Sequence, residues 1–201
     1  MANSVIDELY DEKYFKINKA DSLPMAEFLV PKIVEHLGIK SVLDVGCANG
    51  HWLSCYERAG VDIKGIEGSS HAFTNLLIDE TKVVKFDLRN NFPYNTDVDL
   101  VMSIEVAEHL EPEYADVFVD TLTKHRAKYI IMTAAQPDQG GTGHYNCQPK
   151  DYWIKKIQAK GYKLDIELFN IISYWTKEAR DSKVWVPFWF PDNVMVFRLR
   201  A

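Results

Sequence analysis

Four carboxylates recur at one kind of place in this chain of 201 residues. Asp44, Glu67, Asp87 and Glu105 each stand in or directly after a short apolar run, and each run reads as a buried strand. One such acid carries no message. Four at the ends of successive strands suit a ligand rich in hydroxyls and amines. Asp44 is the most demanding, because it lies inside Val42-Leu-Asp-Val45 and burying an unpartnered polar group costs roughly several kcal/mol. It is expected to meet something polar, and a ligand is one candidate. Gly46-Cys-Ala-Asn-Gly50 follows at once, a turn of small residues with the backbone freedom to cradle that ligand. Farther on, Glu105, Glu108 and His109 stand at i, i+3 and i+4, which puts them on one face if a helix starts there. His144 lies in a Gly-rich loop, residues 134–148. An imidazole with a pKa of about 6.5 accepts a proton at neutral pH, so His109 and His144 are candidate bases, with Glu105 beside them.

The elements that must position these residues alternate. Residues 1–40 read as a helical cap in two amphipathic pieces, with Asp21 and Ser22 as cap candidates, Met25, Phe28, Leu29, Ile33 and Leu37 on one face, Pro31 as a kink or restart, and Gly38 as a stop. Tyr10, Tyr14 and Phe15 serve either as core contacts or as a lid over a ligand. A first strand ends in Asp44, a helix runs over 51–59, and a second strand ends in Glu67. A helix over 70–79, a strand over 82–86 and a strand over 98–104 follow. Pro112 opens a helix to Lys124, Lys128–Thr133 is a fifth strand, and a helix over 150–160 precedes strands over 163–169 and 194–199. This is the spacing of βαβ units, which favours a parallel sheet covered on both faces, with ligands outside the carboxyl ends of the strands.

The composition bounds the reading. A hydrophobic share of 47% in 201 residues builds one core and hardly two. The net charge of −6 weighs against nucleic acid as a partner while leaving it open, because such binding draws on Lys and Arg neutralising phosphates. Asp7, Glu8, Asp11 and Glu12 stand where a signal peptide carries cations and an apolar run. No stretch approaches the roughly 18 apolar residues of a membrane span. A cytoplasmic protein with no membrane partner is expected. Cys47, Cys55 and Cys147 have no C-x-x-C spacing and are expected as free thiols.

Val42 to Gly50, Gly65-Ile-Glu67, Phe86-Asp87-Leu88 and Ser103-Ile-Glu-Val-Ala-Glu-His-Leu110, in that order, resemble class I S-adenosylmethionine-dependent methyltransferases over roughly residues 40–135. Ala48 replaces the usual middle glycine of that family's loop. The resemblance implies a Rossmann-like α/β fold: a seven-stranded, mostly parallel sheet with helices on both faces and the last strand antiparallel. It divides a single domain into the cap, a cofactor-binding half at 41–135 and a substrate-side half at 136–201. It also implies S-adenosylmethionine as cofactor, with Asp44, Gly46, Cys47, Ala48, Asn49 and Gly50 around its methionine part. Glu67 and Gly68 would lie at its ribose, Asp87 at its adenine amino group, Leu88 at its ring with Ile66 packed on the face, and Ile104 and Glu105 beside the reacting end. A carboxylate suits a ribose because two acceptor oxygens meet two vicinal donors.

The E-x-x-E-H stretch resembles the metal-binding motif of two groups in that family, small-RNA 3′-end 2′-O-methyltransferases and the polyprenyl dihydroxybenzoate O-methyltransferases. By that resemblance Glu105, Glu108, His109 and His144 would hold a divalent ion, Mg²⁺ or Mn²⁺ in preference to zinc. A metal-free histidine base and a purely structural histidine remain open beside it. The expected reaction is methyl transfer to a small hydroxylated molecule, a sugar, polyol or phenol. An RNA 3′ end and a non-catalytic cofactor-binding subunit are the rivals. The aromatic stretch 174–190 is either a substrate wall, core filling or the interface of a homodimer.

Overall fold

The computed structural model describes residues 5–200. Seven strands, β1 (Ser41–Val45), β2 (Asp62–Glu67), β3 (Val83–Lys85), β4 (Leu100–Ser103), β5 (Tyr129–Met132), β6 (Tyr162–Leu164) and β7 (Met195–Leu199), form one sheet in the order β3-β2-β1-β4-β5-β7-β6. The first five run parallel, and β7 runs antiparallel to both β5 and β6. The helices are α1 (Val5–Leu9), α2 (Glu12–Leu37), α3 (His51–Arg58), α4 (Ser70–Phe73), α5 (Ala115–Thr123), α6 (Lys150–Ala159), α7 (Ile166–Asp181) and α8 (Phe190–Asn193).

Because strand side chains alternate between faces, β1 feeds two cores. Val42 joins Met25, Leu29 and Ile33 of α2, Leu53 of α3 and Ile172 of α7 on one face. Leu43 joins Phe118 and Leu122 of α5 and Trp153 and Ile157 of α6 on the other. The sheet is thus covered on both sides and its carboxyl edge is left for the site, as in open α/β sheets generally.

Four local expectations are corrected. The cap does not break at Asp21 or Pro31: α2 runs through Pro24 and Pro31, and the chain turns at Asp11, whose carboxylate accepts from the backbone N–H of Tyr14 at 2.8 Å. The buried stripe of Met25, Leu29, Val30 and Ile33 holds that long helix to the sheet across both prolines. The helix expected over 70–79 stops at Phe73, and residues 77–78 instead cover the β1 loop, with the Leu77 N–H donating to the Asn49 carbonyl at 3.0 Å. The strand expected over 163–169 ends at Leu164. Asp165 caps α7 there, accepting from the Leu168 N–H at 3.1 Å, and Leu168, Ile172, Thr176 and Ala179 then bury one helical face. Finally, no helix begins at Glu105. That residue is left-handed at φ 51, and Ala107–His109 forms only a 3₁₀ turn, so Glu105, Glu108 and His109 do not share a helix face.

Of the aromatic stretch, Tyr174, Trp185 and Phe188 are exposed, Trp189 is half-buried and Phe190 is core. No helix among the described residues is long and apolar enough to cross a membrane.

Candidate active site

All four acids of the row line one cleft at the carboxyl edge of the sheet, together with Gly46, Cys47, Ala48, Gly68, Leu88, Ile104 and His109. Parallel pairing of β1 with β2 and β4 brings the ends of these strands into register, with Asp44 opposite Gly65 on one side and Met102 on the other. Asp44 is buried, and burial, with the Glu67 charge behind it, pushes its carboxyl up to about 8.

Glu67 ties the cradle together. Its Oε2 accepts from the Ala48 N–H and its Oε1 from the Ser69 N–H, each at 2.8 Å. Burial raises this carboxyl, while the backbone donors of Ser69, Ala48 and Gly68 pull against the rise. Each oxygen keeps a further lone pair for a ligand hydroxyl. Gly46, at φ 81, has no room for a side chain: a Cβ there would stand 2.5 Å from Val106 Cγ2. Ala48 is held at φ 50, left-handed without being glycine. Asn49 and Gly50 shape the turn from outside the cleft lining; Asn49 Oδ1 lies 3.1 Å from His51 Nδ1.

At the far end Asp87 is engaged already. Nε and Nη2 of Arg89 approach its carboxylate at 3.0 and 2.8 Å, a forked ion pair. Burial would raise Asp87, yet the hydrogen bonds and charge of Arg89 outweigh it and hold the carboxyl below its usual range. Ile66 does not face a ligand; it is sealed in the core, and Phe86 lines the cleft in its place.

The acidic and histidine residues divide into two groups. Atoms of Glu108, His109 and His144 all lie within 4.8 Å of one another, and Glu105 stands outside that cluster. His109 Nδ1 is 3.2 Å from the Gly143 carbonyl and His144 Nδ1 is 3.0 Å from the Gln139 carbonyl, with the two rings edge-to-face at 4.9 Å. Burial, then the neighbouring His144, pushes His109 down to about 4, so its imidazole is neutral. Both carboxylate oxygens of Glu108 are buried with no hydrogen-bond partner of ordinary geometry among the described residues. Burial and the Glu105 charge raise this carboxyl well above its usual range. Glu105, in contrast, is fully engaged: Asn193 Nδ2 meets its two oxygens at 3.0 and 3.1 Å, and Gln139 Nε2 adds 3.2 Å. His109 and Glu105 face the cleft, while Glu108 and His144 are not among its lining residues.

Sequence reasoning missed Arg89, Gln139, Asn193, Ser22, His51 and Trp52. Arg89 and the last three line the cleft, and nothing in the local sequence of those three marks them for it. Tyr10, Tyr14 and Phe15, open between core and lid, all line it as well.

Among solved structures, the chain resembles the methyltransferase domain of bacterial CtHen1 at 19% identity and a TM-score of 0.60, covering 90% of this chain and 99% of that one. It resembles magnesium protoporphyrin IX methyltransferase from Synechocystis PCC 6803, solved with bound S-adenosylhomocysteine (SAH), at 15% and 0.61, covering 80% and 90%. It also resembles 1,6-didemethyltoxoflavin-N1-methyltransferase from Burkholderia thailandensis at 12% and 0.57, covering 88% and 79%. At these identities the likeness is one of fold. No curated protein matches the chain. The methyltransferase-domain family matches residues 19–179, most of the chain and all of the first six strands, and the protein therefore belongs to the S-adenosylmethionine-dependent methyltransferases.

Proposed function

We propose that the protein transfers the methyl group of S-adenosylmethionine to a hydroxyl of a small polyhydroxylated or phenolic molecule, assisted by a divalent ion held by Glu108, His109 and His144. The observation that carries the reading is the convergence of those three side chains, with both Glu108 oxygens buried and without a hydrogen-bond partner of ordinary geometry among the described residues. An unpaired buried carboxylate is costly, and a cation answers it directly. The donor set, one carboxylate and two imidazoles, fits a divalent transition ion, Zn²⁺ or Fe²⁺ as well as Mn²⁺, better than Mg²⁺. When bound, such an ion favours the ionised form of an acceptor hydroxyl.

The remaining work falls to the chain itself. The methyl donor is already activated, so the protein must hold the acceptor oxygen in line, roughly 3 Å from the methyl carbon, and accept a proton. In this reading Glu67 accepts from the ribose hydroxyls and Asp44 meets the cationic end of the cofactor. Neutral His109, facing the cleft, is the group available to take the acceptor's proton if the ion is not used. Glu105 lines the cleft with both oxygens held by Asn193 and Gln139, and in this reading a remaining lone pair orients the acceptor and the metal is left to the other three.

A second acceptor, the 3′-terminal ribose of an RNA, is favoured by the E-x-x-E-H spacing and disfavoured by the net charge of −6. SAH release is measured over a panel of phenols, sugars, polyols and a short RNA, with and without EDTA and with Mn²⁺ added back. Turnover on a small hydroxylated acceptor that falls at least tenfold in EDTA and returns with Mn²⁺ supports the proposal. Turnover indifferent to EDTA removes the metal, and turnover confined to RNA removes the small acceptor.

A further inference from the structure

The segment ahead of α2 lies across the cleft. Ile6, Leu9 and Tyr10 line it together with Asp44 and Glu67. Ile6 Cδ1 comes within 3.2 Å of the point where a Cβ on Gly68 would stand, so α1 closes the approach to Glu67 from that side. Two contacts fasten it. Asp7 Oδ1 accepts from the Ser70 N–H at 2.6 Å and from the Ser69 hydroxyl at 3.1 Å, and Ser69 is the residue whose own N–H goes to Glu67. The Tyr10 ring meets His109 edge-to-face at 5.3 Å.

This fastening is built to come undone. α1 has 5 residues, far below the roughly 12–15 at which a helix begins to stand by itself in water. α2 does not depend on it, because Asp11 caps α2 and Met25 and Leu29 anchor that helix in the core. Neither Tyr10 nor Asp11 is helical, so the chain can bend between the two helices without breaking either. Closure over an empty cleft is also poorly compensated. It brings the Asp7 carboxylate close enough to raise Glu67, and it buries the Tyr10 hydroxyl without a partner among the described residues. A ligand that donates hydroxyls to Glu67 relieves the first of these, which ties closure to occupancy.

We propose that α1 and Tyr10 form a strap that opens to admit the cofactor and then fastens over it through Asp7 and Ser69, seating Tyr10 against His109. The proposal rests on the cofactor lying along Glu67 as described above. Filling the cleft and setting His109 are then one event, so the acceptor end of the site is completed only once the methyl donor is in place.

Hydrogen exchange on the full chain, with and without SAH, tests this. In the parent protein SAH slows exchange at least tenfold over residues 46–50 and over residues 5–11. In Asp7→Ala the protection of 46–50 persists, that of 5–11 disappears, and SAH dissociates at least tenfold faster, followed by the fluorescence of Trp52 and Trp189 in the cleft wall. Ser69→Ala keeps the backbone donor to Glu67 and removes the hydroxyl that donates to Asp7 and to the Tyr10 carbonyl and caps α4 by accepting from the His71 N–H; it moves both readings in the same direction and serves if Asp7→Ala fails to fold. Protection of 46–50 with no change at 5–11, or parental SAH dissociation from both variants, overturns the strap and leaves the cofactor site standing. Absence of protection at 46–50 in the parent overturns the cofactor placement itself, and the strap with it.

Discussion

Asn193 Nδ2 bridges the two carboxylate oxygens of Glu105 at 3.0 and 3.1 Å across 88 positions of sequence, and the same nitrogen reaches Gln139 Oε1 at 3.0 Å. One fully buried amide therefore holds an acid whose own backbone is left-handed and whose charge acts on the neighbouring Glu108 carboxyl. Asn193→Leu removes the donor while keeping the volume. A buried charge-assisted hydrogen bond of this kind is worth about 1.5–3 kcal/mol. The expected result is a loss of that order in urea unfolding, with methyl transfer reduced at least tenfold and SAH affinity changed by less than threefold. Unaltered turnover in a folded Asn193→Leu protein would show that Glu105 needs no such support.

How much of this was legible in the sequence follows from how local each signal is. The row of acids was readable because β-strand endings and acid types both lie within a few residues, and the mostly parallel sheet follows from the alternation of elements. What was not readable came from distant packing, or from backbone and side-chain geometry that residue type does not fix. Two prolines argue for a break in α2, yet the packing of Met25, Leu29 and Ile33 overrides them. Glu105 sits at helical spacing to Glu108 and His109, but its positive φ cannot be inferred from residue type. Arg89 next to Asp87, and Asn193 on Glu105, are pairings made by side-chain geometry alone.

Ala48 occupies a left-handed conformation at φ 50 while its N–H donates to Glu67. The left-handed region costs a non-glycine residue roughly 1–2 kcal/mol, and glycine brings back about 0.5–1 kcal/mol of backbone entropy cost. Ala48→Gly is expected to stabilise the protein by up to about 1 kcal/mol in urea unfolding. SAH binding measured by calorimetry should be equal or tighter. A destabilisation above that size would mean that the Ala48 methyl packs in a way the backbone angle does not reveal.

Gly141 lies against the His144 ring, where an added Cβ would stand 2.3 Å from Nε2. The ring has little room to yield, since its Nδ1 is 3.0 Å from the Gln139 carbonyl. Gly141→Ala should displace His144 and weaken Mn²⁺ binding, read by electron paramagnetic resonance of the free ion, at least tenfold. Because the loop is on the surface, unfolding should shift by less than about 1 kcal/mol. Mn²⁺ binding equal to that of the parent would remove His144 from the ligand set.

His125 is a pH-sensitive point away from the cleft. Its Nδ1 accepts the Thr96 N–H at 3.0 Å, and burial, with the Lys124 charge adding to it, pushes its pKa down to about 4. The unfolded chain takes up the proton near pH 6.5, so between roughly 6.5 and 4 the unfolded state binds more protons than the folded one. Stability from this group is therefore complete above about pH 6.5 and is lost as pH falls toward 4, by about 2–3 kcal/mol at most. His125→Asn, which places an acceptor oxygen near Nδ1, should flatten that part of the stability curve. Equal slopes for parent and variant from pH 4 to 6.5 would assign the acid sensitivity elsewhere.

Asp44 titrates in the opposite sense. Burial and Glu67 raise its carboxyl to about 8, so the empty folded protein holds a proton that the unfolded chain releases near pH 4. Stability from this residue is therefore full at low pH and declines as pH rises from about 4 toward 8. A cationic ligand end reverses the balance, since an opposite charge nearby favours the ionised form. SAH, which carries the amino group without the sulfonium, should bind more tightly as pH rises from 6.5 to 8, by at most about tenfold per unit. Asp44→Asn fixes the neutral form: its SAH affinity should lose that rise, and its stability should no longer decline toward pH 8. Parallel affinity curves for parent and Asp44→Asn would show that this buried carboxyl does not face the charged end of the cofactor.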